Sequence, residues 1–125
     1  MIKYLIDANS AVYAMDEGHD LLKARIADCE AGSMAISAVS YAEVAYGTYI
    51  GKPPAPEVLD AFSEQIPLIA FDEAAAREYA KLPFKRARFD RLLAAHALSI
   101  GAIVVTNNEA DFADVPGLMV ENWTV

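Results

Sequence analysis

The sequence predicts an α/β fold, a parallel sheet with helices on both faces, and three observations predict it. Short apolar runs alternate along the chain with longer segments of helical periodicity, the spacing of a βαβ series. The clearest runs, Ile2–Ile6 and Ala102–Val105, are almost wholly apolar instead of alternating, as befits strands buried on both faces. Glycine or proline punctuates the joins, most plainly at Gly32, Gly101 and Pro116-Gly117.

Taken in order, Ile2–Ile6 is the first strand. A helix is expected from about Asp20 to Ala31, where Leu21, Leu22, Arg25 and Ile26 fall at helical spacing and Gly32 follows the end. Met34–Ser37 is the second strand. Ser40 opens a helix running to about Ile50, and Ser40-Tyr-Ala-Glu43 reads as a capping box with Val39 and Val44 as its hydrophobic staple. The proline-rich stretch 51–56 breaks that helix and is the only linker-like segment. A helix over Glu57–Glu64 leads into strand Ile66–Ala70, and Asp72 is placed to cap a helix through Leu82. Asp90–Ile100 is helical and stops at Gly101 before strand Ala102–Val105. Pro116-Gly117 suits a type II turn before a last strand at Leu118–Val120.

At 125 residues the chain is expected to form a single domain, 1–125, with one core, and the 55% hydrophobic content excludes general disorder. No stretch reaches the roughly 18 uninterrupted apolar residues of a membrane span, and Asp7 interrupts the apolar N-terminus without a signal-peptide pattern. Cys29 stands alone, so no intrachain disulfide forms, and a cytoplasmic location fits. The net charge of −8 argues against broad electrostatic binding of nucleic acid. Locally the sign reverses: Lys81, Lys85, Arg86, Arg88 and Arg91 cluster around one acid, Asp90. That cluster reads either as a solvated loop or as a phosphate-gripping rim, with Lys85, Arg86 and Arg88 as candidate phosphate contacts.

The chemistry-bearing residues are carboxylates. In a parallel sheet the strand C-terminal ends share one edge, where ligands bind. Asp7 directly follows the first strand, Glu43 lies near the start of the helix after the second, and Asp111 lies just beyond Ala102–Val105. Asp90 opens the helix before that strand, so topology permits its approach without requiring it. Gathered carboxylates repel one another until a proton or cation relieves them, and hard cations such as magnesium and manganese prefer such oxygen donors. Each acid also has a structural reading, Glu43 and Asp90 as caps and Asp111 as a turn residue; Asp7 has the strongest independent case. Zinc lacks its ligands here, since the two histidines have no ligand spacing. His96 lies about 120° around the helix from Asp90 and reads as a packed residue, while His19 begins a helix at the surface. Ser10 and Ser40 have no histidine partner at a readable spacing, no glycine-rich phosphate loop occurs, and Trp123 and Tyr46 read as packing residues.

Four motifs then occur in order: Leu5-Ile-Asp7-Ala-Asn9-Ser10, Ser40-Tyr-Ala-Glu43-Val-Ala-Tyr-Gly47, Phe89-Asp90-Arg-Leu-Leu-Ala-Ala-His-Ala97 and Thr106-Asn-Asn-Glu-Ala-Asp111-Phe112. Together with the ending Val115–Trp123 they resemble a PIN domain, specifically the VapC-type toxins of type II toxin–antitoxin pairs, over nearly the whole chain. The resemblance implies a three-layer α/β/α sandwich with a central, mostly parallel sheet. It implies an endoribonuclease using Mg2+ or Mn2+, with Asp7, Glu43, Asp90 and Asp111 as catalytic positions and Asp7, Asp90 and Asp111 as metal ligands. Asn9, Thr106 and Asn108 fall at supporting positions. It further implies cleavage to a 5′-phosphate and a 3′-hydroxyl, a cognate antitoxin, a homodimer and a higher toxin–antitoxin assembly. Ala8 replaces a commoner Thr, Asn108 stands where many relatives carry Asp, and the stretch from Leu82 to Asp90 is shorter than in many VapC-type chains. The number of metal ions and the RNA target stay open. Two rivals remain at this point: a phosphatase using Asp7 as a phosphoaspartyl nucleophile, whose usual second Asp is here Asn9, and a non-catalytic binding module acting through a partner.

Overall fold

The computed structural model describes residues 1–83 and 88–125, Arg88 by its backbone alone. Five strands form one sheet in the order β3-β2-β1-β4-β5. They are β1 (Tyr4–Ile6), β2 (Met34–Ser37), β3 (Leu68–Ile69), β4 (Ile103–Val105) and β5 (Val120–Glu121). Every pairing is parallel, so the sheet is parallel throughout and not merely for the most part. The helices are α1 (Ala8–Met15), α2 (Asp20–Ala27), α3 (Ala38–Tyr49), α4 (Pro56–Gln65), α5 (Glu73–Lys81) and α6 (Arg88–Ile100), with a 3-10 turn at Glu109–Phe112. No helix among the described residues is long and apolar enough to cross a membrane.

The strands send alternate side chains to opposite layers, which explains their nearly continuous apolar sequence. Ile6, Ile36 and Val105 point into a core shared with Ala11, Leu22, Val44, Leu59 and Trp123, from α1 to α4 and the C-terminal end. Leu5, Ala35 and Val104 point the other way, onto Leu93, Ala94 and Ala97 of α6 and Phe112 of the 3-10 turn. The three layers are therefore present. Small residues Ala94, Ala95 and Ala97, all fully buried, let α6 lie close to the sheet.

Several boundaries differ from expectation for local reasons. An unanticipated helix, α1, starts immediately after β1 because Asp7 caps it: its Oδ1 accepts the Ser10 N–H at 2.8 Å. The Ser40–Glu43 capping box does not form. α3 starts three residues earlier, with Ser37 as its N-cap accepting the Val39 N–H at 3.1 Å, so Ser40 and Glu43 lie inside the helix. α2 ends at Ala27, and Gly32, at φ +82°, turns the chain later, before β2. Pro56 takes the first turn of α4, where its missing N–H costs nothing. Asp72 caps α5 as expected, 3.0 Å from the Ala75 N–H. At the end of α6, Gly101 adopts φ +70°, and the Ala102 N–H returns to the Ala97 carbonyl at 2.9 Å. Gly117 at φ +76° fits the turn expected at Pro116-Gly117. Tyr46 is 66% exposed and so is not the packing residue it was expected to be, whereas Trp123 is buried.

Candidate active site

Strand β1 is the pivot of the sheet. The chain steps from β1 to β2 and β3 on one side, then returns to β4 and β5 on the other. The crevice outside the C-terminal ends of β1 and β4 is thus the topological switch point, where open α/β sheets hold their ligands. Asp7 leaves β1 and Thr106 leaves β4 at this crevice.

The two residues are joined. The Thr106 hydroxyl donates to Asp7 Oδ2 at 2.5 Å, and the Asp7 N–H donates to the Val105 carbonyl at 2.9 Å. With Ser10 on Oδ1, both carboxylate oxygens have a donor, which lets a carboxyl group only 9% exposed sit at the head of a buried strand. Burial still raises the Asp7 pKa above its ordinary value. The Thr106 hydroxyl and the Ser10 N–H oppose that rise, while the charge of Asp111 adds to it. Asp7 is therefore a helix cap and a site acid at once.

The other acids converge on it from separate elements. Asp90 lies in the first turn of α6, two residues inside its start and not at the N-cap, as α6 begins at Arg88. Its placement follows from connectivity. β4 begins at the opposite edge of the sheet just after α6 ends, and thirteen helical residues reach about 20 Å back. The first turn of α6 is thereby returned to the C-terminal edge. Burial first, then the charges of Asp111 and Asp7, raise the Asp90 pKa to about 6, with Arg91 opposing the rise. Glu43 stands exposed on the rim in α3, yet enough protein surrounds its carboxyl for burial to lead a rise in pKa, followed by the charges of Asp90 and Asp7. Asp111 lies exposed in the 3-10 turn and repels both Asp7 and Asp90. All four sequence-predicted acids thus share one electrostatic neighbourhood.

The supporting residues divide. Thr106 binds Asp7 directly, and its Oγ1 also accepts the Asn108 N–H at 3.1 Å, tying the start of the 106–111 segment to the acid. Asn108 and Asn9 are exposed at the crevice edge. Sequence reasoning missed one member of this corner. Arg91, expected in a basic rim, is 6% exposed and donates through Nη2 to Asp114 Oδ2 at 2.6 Å. Lys81 is paired with Glu78 at 2.8 Å. The remaining candidate contacts, Lys85, Arg86 and the Arg88 side chain, lie outside the described residues. His96 is a buried packing residue as expected, its Nδ1 2.7 Å from the Ser37 hydroxyl and its ring edge-on to Phe71.

An all-oxygen donor set of mutually repelling acids suits a hard divalent cation. Among the described residues, no three His, Cys, Asp or Glu side chains are gathered closely enough to chelate an ion unaided. Magnesium, which usually takes one or two carboxylates and keeps several waters, suits such an open set.

Residues 4–118 match the PIN domain family. The chain belongs to that family, in its VapC-type branch. This PIN domain is 31% identical over 133 residues to the tRNA(fMet)-specific endonuclease VapC of Shigella flexneri, a match covering 99% of this chain and 100% of that protein. Its fold is similar to that of VapBC2 from Rickettsia felis bound to a DNA fragment from its promoter, with a TM-score of 0.88, 29% identity and coverage of 98% of this chain and 99% of that one. The DNA-bound VapBC of Salmonella typhimurium is also similar, with a TM-score of 0.79, 27% identity and coverage of 98% and 99%.

Proposed function

We propose that this PIN domain is a metal-dependent endoribonuclease, the toxin of a type II toxin–antitoxin pair. The observation that carries the chemistry is the convergence of Asp7, Glu43, Asp90 and Asp111 from four separate elements on the crevice between β1 and β4. The ribonuclease names of its relatives support the reaction class, and the VapBC complexes among its structural neighbours support a cognate antitoxin and a higher assembly.

Asp7, Asp90 and Asp111 would hold Mg2+ or Mn2+ directly or through water. The bound ion would supply Lewis-acid stabilisation of the phosphodiester and make water easier to deprotonate. The protein's own part is positional. Thr106 and Ser10 fix the Asp7 carboxylate, so that one face of the site is set before substrate arrives. Glu43, on the rim with a raised pKa, would orient the attacking water and accept its proton. Asp90 and Asp111 complete the negative pocket in which a cation neutralises charge that would otherwise repel RNA.

Asp7→Asn tests this reading, because Asn caps helices as well as Asp through its remaining oxygen, while the amide nitrogen that replaces Oδ2 can donate to the Thr106 hydroxyl in place of accepting from it. The variant is expected to fold normally and to lose RNA cleavage by at least the roughly 10–100-fold typical of weakened metal sites. EDTA is expected to abolish wild-type cleavage and Mn2+ to restore it. Wild-type cleavage by Asp7→Asn, with both proteins indifferent to EDTA, would refute the proposal. A purified wild-type chain that binds its partner but cleaves no RNA would favour the binding-module alternative.

A further inference from the structure

Asp90 and Arg91 are consecutive, so they project about 100° apart on α6. The first faces the acidic crevice. The second turns under the 3-10 segment, where its Nη2 lies 2.6 Å from Asp114 Oδ2, 23 positions further along the chain. Asp114 lies three residues beyond Asp111. The ion pair thus links the residue next to one site acid with the loop that carries another.

That arrangement is a poor device for stability alone. The Arg91 side chain is 7% exposed, and its Nη1 is buried without a hydrogen-bond partner among the described residues. Burying a guanidinium with incomplete pairing costs more than an apolar side chain of similar size would. What the pair supplies is geometry. Asp111 and Asp90 repel one another, and Asp111 sits in a short exposed turn. Phe112 and Val115 anchor that turn from below through apolar contacts. On the polar side, Arg91 draws it toward α6 and sets a positive charge behind two mutually repelling acids.

We propose that Arg91, clamped to Asp114, is a positioning residue that sets the separation of Asp90 and Asp111 for a divalent cation. This rests on the metal-dependent reading above. Loss of an outer partner of a metal site typically costs about 10–100-fold in affinity.

The test compares the wild-type chain with Arg91→Met, Asp114→Asn, the double variant and Arg91→Lys. Mn2+ affinity is measured by calorimetry at a temperature where each is folded by circular dichroism, and amide exchange is followed over residues 109–115. Both single variants are expected to weaken Mn2+ binding about tenfold, the double variant no more than either, and Arg91→Lys to recover part of the loss. Exchange over 109–115 is expected to rise in parallel. A purely structural role would lower the melting temperature while leaving the Mn2+ affinity of the folded protein unchanged, and that result overturns the proposal. Additive losses in the double variant overturn it too. If the wild-type chain binds no Mn2+, the metal reading fails with every variant alike. Unchanged exchange over 109–115 in both single variants instead shows that no clamp exists, whatever the metal does.

Discussion

Asp7 shows how one residue can satisfy two demands without conflict. A carboxylate at the head of a buried strand needs donors, and the N-terminus of α1 supplies one from Ser10 while β4 supplies another from Thr106. Capping and site chemistry therefore use the same group. Among the described residues Asp90 has no such donors, and charging it in the folded chain is costly. Its folded-state pKa of about 6, against an ordinary 3.8, means that the folded chain keeps a proton the unfolded chain releases between those values. Its contribution to stability is full below 3.8 and is lost as pH rises through about 6. Asp90→Asn is accordingly expected to melt at a higher temperature than wild type at pH 7.5 without metal, the gap closing as pH falls toward 4. Thermal melts across that range check this, and a gap independent of pH would show that the cost of charging buried Asp90 is not its source. At this scale Asp7 and Asp111 were legible because each follows a recognisable strand, and Thr106 because it falls in a motif that resembles the family's. Arg91 was not. Charge counting put it on a basic surface, and only the turn of α6 and a partner 23 residues away reveal that it points inward.

The elements illustrate where local rules compete. Ser40-Tyr-Ala-Glu43 satisfies the capping-box pattern, but Ser37, the last residue of β2 and the partner of Ile69 in β3, can cap the helix as soon as the strand ends. The earlier cap wins because it also satisfies a buried partner: the Ser37 hydroxyl meets His96 Nδ1 at 2.7 Å, joining α3, which carries Glu43, to α6, which carries Asp90. That contact spans 59 residues and has no signature in sequence. Ser37→Ala is expected to cost about 1–3 kcal/mol, from the lost cap and an unpaired buried imidazole. Ser40→Ala is expected to be neutral or slightly stabilising, since its buried hydroxyl has no partner among the described residues and alanine favours helix. Urea denaturation of the two variants separates the alternatives; a larger loss at Ser40 would restore the capping box. The same connectivity argument shows that Asp90 was more legible than topology first suggested. A helix ending at Gly101, directly before a parallel strand, has to begin at the ligand-binding edge.

At the scale of the whole molecule, a parallel sheet buried on both faces explains why so short a strand as β1 can organise the fold. Its neighbours Leu5 and Ile6 are both fully buried, yet they belong to different cores, one beneath α6 and the 3-10 turn, the other beneath α1 to α4. The nearly all-apolar run at the N-terminus had already implied this, because a strand open to water on one side alternates. What the run could not convey was which helices cover which face, since that depends on the side of β1 to which the chain returns. The arrangement makes adjacent residues equally costly to truncate. Leu5→Ala and Ile6→Ala are each expected to lose about 2–5 kcal/mol in urea unfolding, the range for cavities in a well-packed core. Were one face of the sheet merely solvated, one of the two substitutions would fall within about 0.5 kcal/mol of wild type, as surface changes do. Equal, large losses at both positions tie the switch-point crevice to two cores at once, so that β1 cannot shift toward either layer without carrying Asp7 out of line with Thr106.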